Sequence, residues 1–162
     1  MFGRRKKVAV VIGAPAPSFE LTGLDGSTQT LADVLARGPV LLAFFKISCP
    51  VCQLSAPYLD RLANNPSLQV IGISQDDAEA TRGFRERLHV TFPTLLDLGS
   101  ANYPASNAYG ITSVPTLFLI ERDGVIAKTV NGFSRRDFEE IGTRVGVSPF
   151  GADDHVPEWK AG

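Results

Sequence analysis

The sequence predicts an α/β fold whose central mixed sheet is covered by helices on both faces. Three observations carry this expectation. Runs at 40–45 and 114–120 are short, apolar and bounded by Pro, Lys and Glu, so they read as buried strands, as does 68–74. Segments with helical start and stop signals alternate with these strands through the middle of the chain. A hairpin followed by an amphipathic helix closes the pattern.

Gly23-Leu24-Asp25-Gly26 between the alternating segments 19–22 and 27–30 marks an N-terminal hairpin. Thr30 can cap a short helix over 31–37, which Gly38-Pro39 stops, and the strand 40–45 follows at once. After Cys49-Pro50-Val51-Cys52 the apolar positions Cys52, Leu54, Ala56, Leu59, Leu62 and Ala63 fall mostly on one helical face until Asn64-Asn65-Pro66. This helix therefore begins at the cysteines. The strand 68–74 leads to Asp76-Asp77, a favourable helix start, and that helix carries Phe84 and Leu88. A strand at 92–97, a short helix at 105–109 and the strand 114–120 come next, and Arg122-Asp123-Gly124 turns the chain into 125–130. Ser134 caps a last helix over 135–145, with Phe138, Ile141 and Val145 facing inward. From Ser148 the composition changes to Gly, Pro, Asp and Lys with a lone Trp159, which reads as a tail lying on the surface. The expected organisation is a basic segment 1–12, one domain over 13–147 and the tail 148–162.

A chain of 162 residues buries roughly 70% of its unfolded surface in one domain, enough to need no disulfide staple or structural metal. Its two cysteines are thus free for chemistry. With 44% hydrophobic and 20% charged residues, 15 Gly and 11 Pro, the composition is globular and rich in turns. Disorder, collagen and coiled coil are excluded. The balance of 16 Lys+Arg against 17 Asp+Glu leaves a net charge of −1, no field for nucleic acid or an anionic membrane, and a basic cluster only at Arg4-Arg5-Lys6-Lys7. That cluster, the apolar run 8–14 and Pro15-Ala16 imitate a leader peptide. The run is at the bottom of the leader range and far below the roughly 20 residues that span a bilayer, so neither a cleaved leader nor a membrane span is expected.

Cys49 and Cys52 stand at i and i+3 where a buried strand runs into a helix, the arrangement that dithiol–disulfide chemistry needs. Amide groups and the dipole at a helix N-terminus stabilise a thiolate at the first position, which makes Cys49 the nucleophile. A second cysteine one turn on can attack the mixed disulfide that Cys49 forms, which makes Cys52 the resolving thiol. Pro50, in the first turn, lacks an N–H that would be unpaired there anyway. A CxxC can also be half of a zinc site or a pair of inert core thiols. Zinc needs two more ligands, and the other soft candidates, His89 and His155, lie far apart with no ligand spacing.

The strand 40–45, then Ser48-Cys49-Pro50-Val51-Cys52 opening a helix, then Val114-Pro115-Thr116 before a strand resembles the thioredoxin superfamily over roughly residues 13–146. Gly13-Ala14-Pro15-Ala16-Pro17-Ser18-Phe19-Glu20-Leu21, followed by Leu24-Asp25-Gly26-Ser27, is similar to the opening of one branch of it. That branch holds alkyl hydroperoxide reductases, thiol-specific antioxidants and TlpA/ResA-type oxidoreductases. The resemblance implies a thioredoxin-like fold with an N-terminal hairpin and an inserted helix, and it makes residues 10–21 the first ordered segment. It matches Cys49 to the attacking cysteine, Cys52 to the resolving one and Pro115 to the cis-proline that faces the disulfide. A cis X–Pro bond costs only about 0.5–1 kcal/mol, and it would turn the Val114 backbone toward an extended substrate peptide. Val114, Pro50 and Val51 are then the expected substrate contacts.

The chain departs from this pattern at two places. Ile47-Ser48 stands where most relatives have a Trp before the first cysteine. Ala43 occupies the strand position at which thioredoxin has a buried Asp that assists proton transfer from the second cysteine. Asp76, just past the strand 68–74 and about where ResA-type proteins place an acidic residue, is the candidate replacement, with Gln75 the neighbouring register. The other role open to Asp76 is a plain helix N-cap. Lys46 reads as a solvated lysine at a strand end.

The expected function is that of a thiol–disulfide oxidoreductase acting on protein disulfides, with small disulfides or thiols as further substrates and an upstream thiol electron donor as partner. The Cys49–Cys52 pair is expected to serve as the redox group with no other cofactor or metal, in a monomer. A peroxiredoxin-like thiol peroxidase and a non-enzymatic module that holds a partner or metal are the alternatives. The peroxidase requires PxxxTxxC, whereas the positions three before the two cysteines are Lys46 and Cys49. Met1 is the one methionine, so a Met-rich copper site is not available. Pro50-Val51 has Pro first, as in glutaredoxins and the oxidant DsbA, and points to a moderately oxidising couple. The cytoplasm is the expected compartment, with export the alternative because TlpA/ResA-type relatives are usually exported or anchored.

Overall fold

Every element expected from the sequence is present in the computed structural model, which describes residues 10–162. The basic cluster at 4–7 lies outside the described residues. A hairpin of β1 (Glu20–Gly23) and β2 (Thr28–Thr30) leads through α1 (Leu31–Ala36) to the central strand β3 (Val40–Phe45). Then come α2 (Pro50–Ala63), β4 (Gln69–Ser74), α3 (Ala78–Arg87), β5 (Thr94–Leu96), a single 3-10 turn at Gly99–Ala101 and α4 (Pro104–Ala108). The chain continues with β6 (Thr116–Ile120), β7 (Ile126–Asn131), the short β8 (Phe133–Ser134), α5 (Arg135–Val145) and β9 (Trp159–Lys160).

Seven strands form one sheet in the order β2-β1-β5-β4-β3-β6-β7. The sheet is mixed: β4 runs parallel to both β3 and β5, whereas β6 runs antiparallel to β3 and β7. The six residues of β3 are all buried, and their side chains alternate between two cores. Leu41, Ala43 and Phe45 pack with α2 and α5 on one face, while Val40, Leu42 and Phe44 pack with α1 and α4 on the other. Cover on both faces is why this strand shows no polar alternation in the sequence.

Local caps fix where the helices begin. Thr30 and Asp33 form a reciprocal capping box on α1, and Ser134 accepts the Asp137 N–H at 3.2 Å on α5. On α3 the cap is Asp77, whose Oδ1 accepts the Ala80 N–H at 2.8 Å, so Asp76 does not fill the capping role. At the other end of the sheet, residues 13–16 bond along the start of β7, with Gly13 donating to Ile126 O at 2.8 Å and Ile126 donating to Ala14 O at 3.0 Å.

The tail 148–162 lies on the surface but is docked there. The Phe150 ring packs against Tyr58 at 4.9 Å and Phe133 at 5.9 Å between centroids, and Arg61 pairs with Asp154 at 2.6 Å. Its far end, β9, pairs antiparallel with β8, Phe133 opposite Lys160 and Ser134 opposite Trp159. Two residues carry no periodicity, which is why this strand is invisible in the sequence. Among the described residues no helix is long and apolar enough to cross a membrane.

Candidate active site

Parallel pairing sets Phe45 beside Ser74 at the ends of β3 and β4, so the segments that follow those two strands meet. From β3 the loop Lys46-Ile47-Ser48 delivers Cys49 to the N-cap of α2. The Cys49 backbone is extended, and its Sγ accepts the Cys52 N–H at 3.2 Å. Sulfur here takes the place of the oxygen that ordinarily caps a helix, and it meets a donor, the Cys52 N–H, in the first turn of α2. On its other side Cys49 Sγ donates to the Val114 carbonyl at 3.3 Å, and the Val114–Pro115 peptide is cis.

Both cysteines are free thiols, Cys49 half-buried and Cys52 buried. Burial pushes the Cys52 thiol far up from its ordinary range, and the hydrogen bond with Cys49 and the Asp76 carboxylate act in the same direction. Cys52 thus keeps its proton until something takes it. Pro50 is exposed and Val51 half-buried in the first turn of α2, on the surface around the Cys49 sulfur, and Lys46 is exposed.

Asp76 follows β4 and is half-buried, with its Oδ2 accepting the Ile47 N–H at 2.8 Å. The same Ile47 is held from the other side, since Gln53 Nε2 donates to its carbonyl at 2.9 Å. Two side chains therefore fasten the loop that presents Cys49. Gln75 points elsewhere, donating to Ser106 Oγ at 2.9 Å. Ala43 is buried between Gly72 and Leu117 of the adjoining strands and brings no titratable group.

Two supporting residues escaped the sequence reading. Gln53 carried no signal. Asp97 did: a carboxylate directly after the apolar β5, it is fully buried and accepts the Ala105 and Ser106 N–H groups at 2.9 and 2.7 Å. It thereby holds the start of α4, the element that precedes the Val114–Pro115 loop. A cleft of about 250 Å³ lies beside that loop, lined by Lys46, Gln75, Tyr103, Asn107, Ser113 and Val114. Among the described residues no three His, Cys, Asp or Glu side chains come together as a metal site.

A cysteine pair opening the helix after the central strand, facing a cis-proline loop on a mixed sheet, together with the chain's likeness to thiol-disulfide oxidoreductases, defines an oxidoreductase of the thioredoxin type. Residues 12–129 match the model of the AhpC/TSA family, and the chain belongs to that family. It is 30% identical over 131 residues to the thiol-disulfide oxidoreductase ResA of Geobacillus thermodenitrificans, a match covering 78% of this chain and 73% of that one. Among solved structures, a secreted Mycobacterium tuberculosis disulfide oxidoreductase homologous to DsbE aligns with TM-score 0.66 and 27% identity over 79% of this chain and 94% of its own. The thioredoxin domain of a Bacteroides vulgatus thiol-disulfide oxidoreductase aligns with TM-score 0.73 at 21% identity, over 85% of this chain and 99% of that one, a likeness of fold.

Proposed function

We propose that the protein exchanges disulfides with protein substrates through Cys49 and Cys52. The observation that carries this reading is the position of the Cys49 sulfur, 3.2 Å from the Cys52 N–H and 3.3 Å from the Val114 carbonyl. A negative sulfur at that place faces the Cys52 N–H and the positive end of α2, and it stands beside a backbone to which an extended peptide can bond. The name of the Geobacillus relative supports the same chemistry.

In the reductive direction the Cys49 thiolate attacks one sulfur of the substrate disulfide. That S–S bond breaks, the departing thiolate takes up a proton, and a mixed disulfide joins Cys49 to the substrate. The Cys52 thiol then gives up its proton, with Asp76 as acceptor, and its sulfur attacks Cys49 Sγ. The substrate leaves as a dithiol and the protein keeps a Cys49–Cys52 disulfide, two electrons having passed to the substrate. An upstream thiol donor restores the pair, and the reverse sequence oxidises a substrate dithiol. The pair is itself the redox group, while the Val114 backbone, Pro50 and Val51 form the substrate contacts. Of the two compartments, the exported one is better supported, because the M. tuberculosis relative is described as secreted.

Equilibration with graded glutathione or dithiothreitol buffers, read by thiol alkylation and mass, tests this together with the reduction of insulin by dithiothreitol. A single two-electron transition of the Cys49–Cys52 pair and catalysed insulin reduction are expected. A midpoint near about −270 mV would assign a reductant, and one at about −120 to −180 mV an oxidant or isomerase. Failure to form an intramolecular disulfide at any poise overturns the proposal.

A further inference from the structure

We propose that the segment 159–162 occupies the peptide-docking edge beside Cys49, so that a polypeptide substrate must displace it whereas a small disulfide need not. This rests on the reading of Val114 as the docking backbone. The segment approaches as a strand would. β9 pairs with β8, the Arg135 N–H donates to Glu158 O at 3.0 Å, and Trp159 Nε1 donates to Asn131 O at 3.3 Å. The edge it joins leads directly to the proline loop, because Asn131 pairs with Thr116 and the Gly132 N–H donates to Pro115 O at 2.8 Å.

Glycine stands on both sides of this contact. A Cβ placed on Gly162 would lie 2.2 Å from Val114 O and 2.7 Å from the carbonyl carbon, and one placed on Gly132 would lie 2.2 Å from Lys160 O. These are approaches of backbone to backbone that a side chain would forbid. Val114 O is also the atom to which Cys49 Sγ donates at 3.3 Å. Gly162 therefore lies across the very carbonyl that marks the nucleophile.

The anchoring of the tail is uneven. Upstream, Arg61 donates to Pro149 O at 2.8 Å and pairs with Asp154, and Phe150 enters the aromatic cluster on α2 and α5. Downstream, Trp159 is 60% exposed and residues 160–162 are exposed as well. An exposed segment whose upstream neighbours are anchored can leave the edge without unfolding the domain. An extended peptide adding to that edge through its main chain takes the same place, and the segment 159–162 is its competitor.

Gly162→Val and Trp159→Ala separate the segment 159–162 from the loop without touching the cysteines. If the segment is displaced in about a tenth to a fifth of molecules, its removal raises kcat/KM toward insulin roughly fivefold to tenfold, through KM. The kcat/KM toward oxidised glutathione stays as it was. Equal changes for the two substrates, or no change for insulin, overturn the proposal. Labelling supplies a readout that needs no turnover: both variants should raise the rate at which Cys49 reacts with a bulky polyethylene-glycol maleimide relative to iodoacetamide, and an unchanged ratio overturns it. Should insulin go unreduced by parent and variants alike, the disulfide-exchange reading falls while the labelling ratio still judges the segment.

Discussion

Asp76 accepts the backbone N–H of Ile47 at 2.8 Å, two residues before the Cys49 that the same loop presents. The bond ties the end of β4 to the approach of the nucleophile. The Asp76 charge also acts, after burial and the hydrogen bond with Cys49, to push the Cys52 thiol up. One residue thus supports the loop and is the proposed proton acceptor, so the two contributions must be separated by experiment.

Asp76→Asn keeps an oxygen for the Ile47 N–H and removes the base. It should slow turnover near neutral pH by roughly 10²-fold, the lower end of what a positioned base contributes, with Cys49 alkylation nearly unchanged. Asp76→Ala also frees the loop and should impair both. A pH–rate profile of Asp76→Asn that overlays the parent's would reduce Asp76 to a positioning residue.

Exchange through a mixed disulfide makes the two cysteines unequal. Cys49→Ser should abolish turnover, whereas Cys52→Ser should accumulate a covalent adduct between Cys49 and the substrate that dithiothreitol dissolves and mass spectrometry identifies. Turnover by the Cys49→Ser protein would show that the nucleophile lies elsewhere.

The cysteine site was legible because its signals are local. The residue that caps α2 is Cys49 itself, and both faces of β3 are covered, so the sequence around 40–52 states strand, turn and helix at once. Asp76 and Asp77 show where local signals stop. Either can cap a helix, and what assigns Asp77 to α3 and Asp76 to Ile47 is the parallel pairing of β3 with β4, a contact between residues nearly thirty positions apart. The tail was opaque for the same reason, since β9 exists only through its partner β8.

Burial pushes up both the Cys52 thiol and the Tyr109 phenol, whose hydroxyl donates to Pro17 O at 2.7 Å. The folded dithiol form therefore keeps two protons that the unfolded chain releases in alkali. The unfolded state then binds fewer protons than the native one, and the free energy of unfolding falls as pH rises. The decline should begin above the ordinary thiol value of about 8.5 and steepen beyond the phenol value of about 10. Each group adds up to about 1.4 kcal/mol per pH unit. Urea midpoints measured between about pH 8 and about pH 10.5 should drop in the reduced protein, with Cys52→Ala and Tyr109→Phe each flattening the curve. Midpoints that stay level across that range would contradict the burial of both protons.

Asp97 is the side chain on which the far wall of the site depends. Tyr103, at the start of α4, gives no side-chain cap, and Asp97 reaches across from the end of β5 to accept the N–H groups of Ala105 and Ser106. In Asp97→Ala both donors are left buried without a partner, at a cost of about 1–3 kcal/mol each. The urea midpoint should fall accordingly with an unchanged m value. Because α4 precedes the loop that carries Val114, insulin reduction should weaken more than the reaction with oxidised glutathione, which relies less on that backbone. Asp123→Ala, which removes an exposed acceptor for the Val125 N–H at 3.0 Å, is the matched control. A midpoint shift no larger than that of Asp123→Ala would mean that α4 holds its place without Asp97.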